Sequence, residues 1–181
     1  MTWRRLAVVA VLVATGCGGD PPVAAPVPVS SALVPAKLHA GELGVYENTT
    51  PVTKRAFANL GQDALISDGR IWEIRRDDRL IATLEIATVK PEVNLARSSV
   101  RLQFTRPILA GDVSDIRLAG QEVSRVATSD GKTTMVWFGK GLFEVLQVKD
   151  RKVTAADLCQ ELIVHQQKVS AWEPIPDLFS T

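Results

Sequence analysis

The chain has 181 residues, with 21 lysines and arginines against 20 aspartates and glutamates, a net charge of +1 and a hydrophobic fraction of 46%. That length and composition fit one domain with a proper apolar core. The near balance of charge speaks against a nucleic-acid binder, which carries a basic excess, and against electrostatic attachment to anionic lipid.

Residues Met1 to Asp20 read MTWRRLAVVAVLVATGCGGD. Arg4 and Arg5 form a short positive region, and Leu6 to Ala14 follow as an apolar run of the length expected of a signal-peptide core. Crossing a bilayer takes about twenty apolar residues, so the run is too short to span. Small residues and a cysteine come next: Ala14, Thr15, Gly16, Cys17. Thr15-Gly16-Cys17 resembles the lipobox of bacterial lipoproteins, with Ala14 standing where that family favours Leu, Val or Ile. The lipobox resemblance covers this leader alone; the rest of the chain resembles no named family beyond a general likeness to uncharacterised lipoproteins of high-GC Gram-positive bacteria. The resemblance implies a signal peptide over 1–16, cleavage before Cys17, lipidation of Cys17 by palmitate-type acyl chains, and a protein held on the extracytoplasmic side of the cell membrane. Two or three acyl chains together hold a protein firmly where one holds it only reversibly. With Cys17 acylated, Cys159 has no intrachain partner and is expected as a buried small hydrophobe.

Residues 17–36 are expected as the lipidated start and a linker, because Pro21 to Ala36 holds five of the ten prolines among Ala, Val and Ser. Proline favours extended polyproline II, so this stretch reads as a semi-rigid spacer. Residues 37–181 are expected as one extracytoplasmic domain. Thr50-Pro51 can open a helix. Asn48-Thr49-Thr50 has the form of a glycosylation sequon, taken as chance in a bacterial chain. Ala64 to Ile66 reads as a short strand ending in a turn at Ser67-Asp68-Gly69. Arg70 to Arg75 and Arg79 to Val89 read as a hairpin whose charged tip includes Arg76-Asp77-Asp78. Asn94 can cap a helix from Leu95 to Arg106 with Ala96, Val100 and Phe104 inward. The alternation of Val100, Leu102 and Phe104 fits a strand equally well. Pro107 ends either one.

Four strands follow, at about 114–119, 121–128, 132–138 and 142–149, with turns at Ala119-Gly120, Asp130-Gly131 and Gly139-Lys140-Gly141. A last helix is expected from Thr154, which with Asp157 has the capping-box pattern. Leu158, Cys159, Leu162 and Ile163 form its apolar stripe, and His165 suits the negative end of its dipole. Trp172 is expected on the surface in a proline-broken tail. Leu80 to Ile86 parallels Leu142 to Val148, which suggests a two-fold β-β-α repeat. The fold expected is α+β: an antiparallel sheet, mostly meander, with two or three helices on one face.

Catalytic signatures such as HExxH, CxxC, GxSxG and GxxxxGK[ST] do not occur. The two histidines, His39 and His165, read as structural. No catalytic, cofactor-binding or metal-ligating residue is assigned, and no cofactor is expected. Trp137, Phe138, Leu142 and Phe143 form the densest apolar patch, read as core or as an open surface for an apolar ligand. The sequence therefore points to a non-catalytic lipoprotein that binds or scaffolds a protein partner at the cell envelope. The alternative is a carrier or sensor holding a small or lipidic ligand between sheet and helices.

Overall fold

The computed structural model describes residues 28–39, 42–48, 65–109 and 111–175. The signal segment 1–16, Cys17, the first part of the linker, the sequon's threonines and the helix expected after Thr50 lie outside the described residues.

Eight strands form one antiparallel sheet: β1 (Lys37–Leu38), β2 (Leu43–Asn48), β3 (Ile66–Arg76), β4 (Arg79–Val89), β5 (Val113–Leu118), β6 (Gln121–Ala127), β7 (Thr133–Gly139) and β8 (Leu142–Val148). Their order across the sheet is β1-β2-β3-β4-β8-β7-β6-β5. Two four-stranded meanders thus lie side by side, joined where β4 pairs with β8. Helix α1 (Ser98–Thr105) connects the meanders, and α2 (Ala155–Gln166) follows the second. The α+β class and the antiparallel sheet stand, and the four strands after residue 113 run within a residue or two of their expected bounds.

The turns follow their chemistry. Ala119 and Gly120 both have positive φ, 48° and 81°, as a two-residue hairpin of type I′ requires. Gly131 and Gly141 also sit at positive φ in their turns. The turn expected at Ser67-Asp68-Gly69 is instead part of β3. The register slips by one residue between Ile66 and Asp68, a bulge that leaves Ser67 without a partner strand residue. Ser67 Oγ turns to the Thr88 carbonyl oxygen at 3.1 Å. Asn94 caps only a turn, its Oδ1 accepting from the Ala96 N–H at 3.0 Å, and the helix starts three residues later than expected. The strand alternative for this segment falls away: Leu102 points outward at 47% exposure while Phe104 is fully buried.

The helices do not share a face. Along β7 and β8, Met135, Trp137, Leu142, Leu146 and Val148 join one cluster with Leu158, Cys159, Leu162 and Ile163 of α2. Val136, Phe138, Phe143 and Val145 join another with Phe104 of α1. Successive strand residues point to opposite sides, so α1 and α2 cover opposite faces, a correction to the one-face expectation. The same fact limits the repeat. Leu84 and Leu146, equivalent in the two segments, are direct cross-strand partners, as a two-fold axis normal to the sheet requires. Such an axis would keep both helices on one face, so the repeat does not extend to them.

The end of the expected spacer is packed. Val29 and Leu33 are 1% exposed and belong to the α2-side cluster. The Val29 N–H donates to Asp68 Oδ2 at 3.0 Å, and His165 donates through Nε2 to the Ala32 carbonyl at 2.9 Å. Apolar residues at 29 and 33, a helical-turn spacing around the short 3-10 turn Ser31–Leu33, override the extended tendency of the neighbouring prolines. The packed domain therefore includes residues before Lys37. Among the described residues no helix is long and apolar enough to cross a membrane.

Candidate functional site

The polar centre of the molecule lies under α2. The alternation of β8 sends Leu142, Leu146 and Val148 to the α2 face, and Glu144 goes with them, fully buried. Gln166, the last residue of α2, is also fully buried. Its Nε2 donates to Glu144 Oε2 at 2.5 Å, and its Oε1 accepts from Trp137 Nε1 at 3.2 Å. Trp137 stands directly opposite Glu144 across the β7–β8 pair. Trp172 Nε1 donates to Glu144 Oε1 at 3.3 Å. Trp172 is thus buried, not on the surface. The indole finds an acceptor inside, as buried tryptophans usually must.

Burial drives the Glu144 carboxyl up to about 8, against the hydrogen bonds from Gln166, Trp172 and Trp137 that favour its anion. Taking an isolated carboxylate out of water costs more than neutral donors return. Cys159 lies in the same cluster, and burial first, then the Glu144 charge, push its thiol far above the ordinary range. A thiol so held is a poor nucleophile. The centre can hold a proton near neutral pH, but its carboxyl is sealed from solvent.

At the other end of α2, its N-terminus, a cleft of about 270 Å³ opens to solvent. Arg125, Thr133, Asp150, Arg151 and Thr154 are among its walls. Thr154 is the N-cap as expected, but its side chain makes no capping bond, so the capping box with Asp157 is not formed. Arg125 Nε is buried and has no hydrogen-bond partner among the described residues. Arg151 donates through Nε to the Asp130 carbonyl at 3.1 Å. Asp150 is held below the usual carboxylate range by the Lys152 N–H, against a smaller opposing effect of burial, with help from the charges of Arg79, Lys152 and Arg76. Two guanidiniums and first-turn amides favour an anionic group. The Asp150 carboxylate opposes one.

Cys17 lies outside the described residues. The charged tip at 75–79 is a hairpin in which Asp77 takes positive φ, Arg75 pairs with Glu73 at 2.5 Å and Arg79 reaches Asp150 at 3.4 Å. Trp137, Phe138, Leu142 and Phe143 are all buried, so the patch is core. The backbone N–H of His39 donates to Glu161 Oε1 at 2.6 Å. Among the described residues no three His, Cys, Asp or Glu side chains group as metal ligands. Among the described residues the large exposed apolar side chains, Tyr46, Leu102 and Val113, stand on three separate elements. Sequence reasoning missed Glu144 and Gln166. The available signal was a lone Glu inside a strand whose two faces are both apolar. Compared with models of protein families, with curated proteins and with solved structures, the chain gives no match.

Proposed function

We propose that this protein is a lipid-anchored extracytoplasmic domain that binds or scaffolds a protein partner at the cell envelope without catalysis. The observation that carries the reading is the run Arg4-Arg5, Leu6 to Ala14, Thr15-Gly16-Cys17. Diacylation at Cys17 supplies the membrane affinity. Burial of Glu144 and Cys159, the two groups pushed furthest upward, adds support, because neither presents a reactive atom to solvent. Cys17→Ser tests the anchor. The variant should leave the membrane fraction and keep its unprocessed mass. A variant that stays in that fraction with unchanged processing contradicts the reading.

The carrier or sensor reading draws on the cleft at the start of α2. Its arginines suit a small anionic ligand better than an acyl chain. Native mass spectrometry of the protein from its own host tests this: an added mass lost on denaturation supports a ligand, and a bare chain returns the weight to a protein partner.

A further inference from the structure

The sheet ends differently on its two sides. One edge is the two-residue β1, and the other is the six-residue β5, which pairs with β6 on its inner side and with no described strand on its outer side. The type I′ turn at Ala119-Gly120 makes Leu118 and Gln121 a hydrogen-bonded pair. Antiparallel pairs alternate, so Ile116 and Ser114 bond inward to β6, while the backbone groups of Val113, Asp115 and Arg117 point out to the open edge. Val113, Asp115 and Arg117 are exposed, Val113 at 49%.

We infer that β5 pairs antiparallel with β5 of a second copy of this chain, joining two eight-stranded sheets through a two-fold axis at Ile116. A two-fold axis normal to the sheet keeps each face on its own side, so the two residue numbers of every pair sum to an even number. The outward backbone groups then allow three central registers. Asp115 opposite Asp115 or Arg117 opposite Arg117 sets like charges together, which is destabilising. The third sets Asp115 against Arg117 of the other copy, twice, with Ile116 facing Ile116. It alone is charge-complementary. Within its own chain Asp115 Oδ1 accepts from Ser124 Oγ at 2.7 Å, and Glu122 stands opposite Arg117 in β6. Arg117 would therefore lie between two carboxylates. An isologous contact of this kind closes on itself and uses up the β5 edge of both copies.

The inference does not rest on the anchor, and failure of the Cys17→Ser test leaves it intact. Its own test is disulfide trapping in the full chain, read as dimer beyond that of the unsubstituted chain. Ile116→Cys should cross-link readily, since facing Cβ atoms in such a pair are about 4.5–5.5 Å apart. Val113→Cys, more exposed on the same edge, should not, because residue 113 faces residue 119. Adding Arg117→Asp to Ile116→Cys should cut the dimer at least fivefold, and adding Asp115→Arg as well should restore it. No dimer with Ile116→Cys, equal dimer with Val113→Cys, or indifference to the charge reversal overturns the proposal. Sedimentation equilibrium of the unsubstituted chain against Arg117→Asp reads the same pairing if the cysteine variant folds poorly.

Discussion

The two faces of the sheet are built on opposite plans. The face under α1 has a purely aromatic and aliphatic centre: Phe104, Phe138 and Phe143 meet with ring centroids 5.1 to 6.3 Å apart, among Val126, Val136 and Val145. The face under α2 is larger, yet it encloses a carboxyl, an amide and two indoles in one hydrogen-bonded chain. Neighbouring residues of one strand, Phe143 and Glu144, serve the two plans. An aromatic cluster gains from being buried whatever the pH. A polar centre loses unless each group finds its partner, so it fixes where those partners sit. Here the partners are the end of α2 and the segment after it. The Lys140 N–H donates to the Glu173 carbonyl at 2.7 Å, and Gly139 bridges to Pro174. A Cβ on Gly139 would lie 2.8 Å from Trp172 Nε1, so the close approach of Trp172 depends on glycine there.

The comparison can be broken from either face. Phe143→Ala removes the centre of the aromatic cluster and should cost about 3–5 kcal/mol in denaturant unfolding, equally at pH 5 and pH 8. A cost that changes with pH would point to Glu85, which stands opposite Val145 on this same face and whose carboxyl is raised by burial against the Lys149 charge. The α2 face should behave in the opposite way. Glu144 binds its proton more tightly folded than unfolded, so its contribution is fully present below about pH 4.5 and is lost as pH rises toward about 8. At 1.36 kcal/mol per pKa unit the loss is on the order of 5 kcal/mol. Unfolding free energies measured across that range should fall for the natural chain relative to Glu144→Gln, and the difference should flatten above pH 8. A parallel pair of curves would show that Glu144 is an ordinary carboxylate. Gln166→Leu removes an acceptor of Trp137 Nε1 and a donor to Glu144 and should cost about 1–3 kcal/mol, with the Phe143 cluster unaffected in a double-mutant cycle. The smallest effect concerns Cys159. Peptide-level mass spectrometry should find it unlabelled by a thiol reagent in the folded protein and labelled after denaturation.

How much of this was legible follows from which physics is local. The β5 to β8 meander was readable because its turn residues and its period of two act within a few positions. The stripe Leu158, Cys159, Leu162, Ile163 was readable for the same reason. Ser67-Asp68-Gly69 misled because turn-forming residues also suit a bulge, and Asp68 is used by Val29 far away in sequence. The burial of Val29, Leu33 and Trp172 depends on long-range partners, namely Asp68, α2 and Glu144, that no local pattern names. The side of the sheet taken by each helix was equally non-local, although the two apolar faces of β8 already called for a cover on both. Glu144 was the missed inference: a charged residue in that strand had to be sealed with partners, and only the fold says that Gln166 and Trp172 supply them.

The most direct test of this account is the titration of Glu144 itself, followed by the 13C shift of its carboxyl carbon in the folded protein. The account predicts a midpoint near 8, with the carboxyl neutral at pH 6. A midpoint near the ordinary value of about 4.5 would contradict it, and would mean that the indole and amide donors outweigh burial and that the α2 face closes over a stable anion.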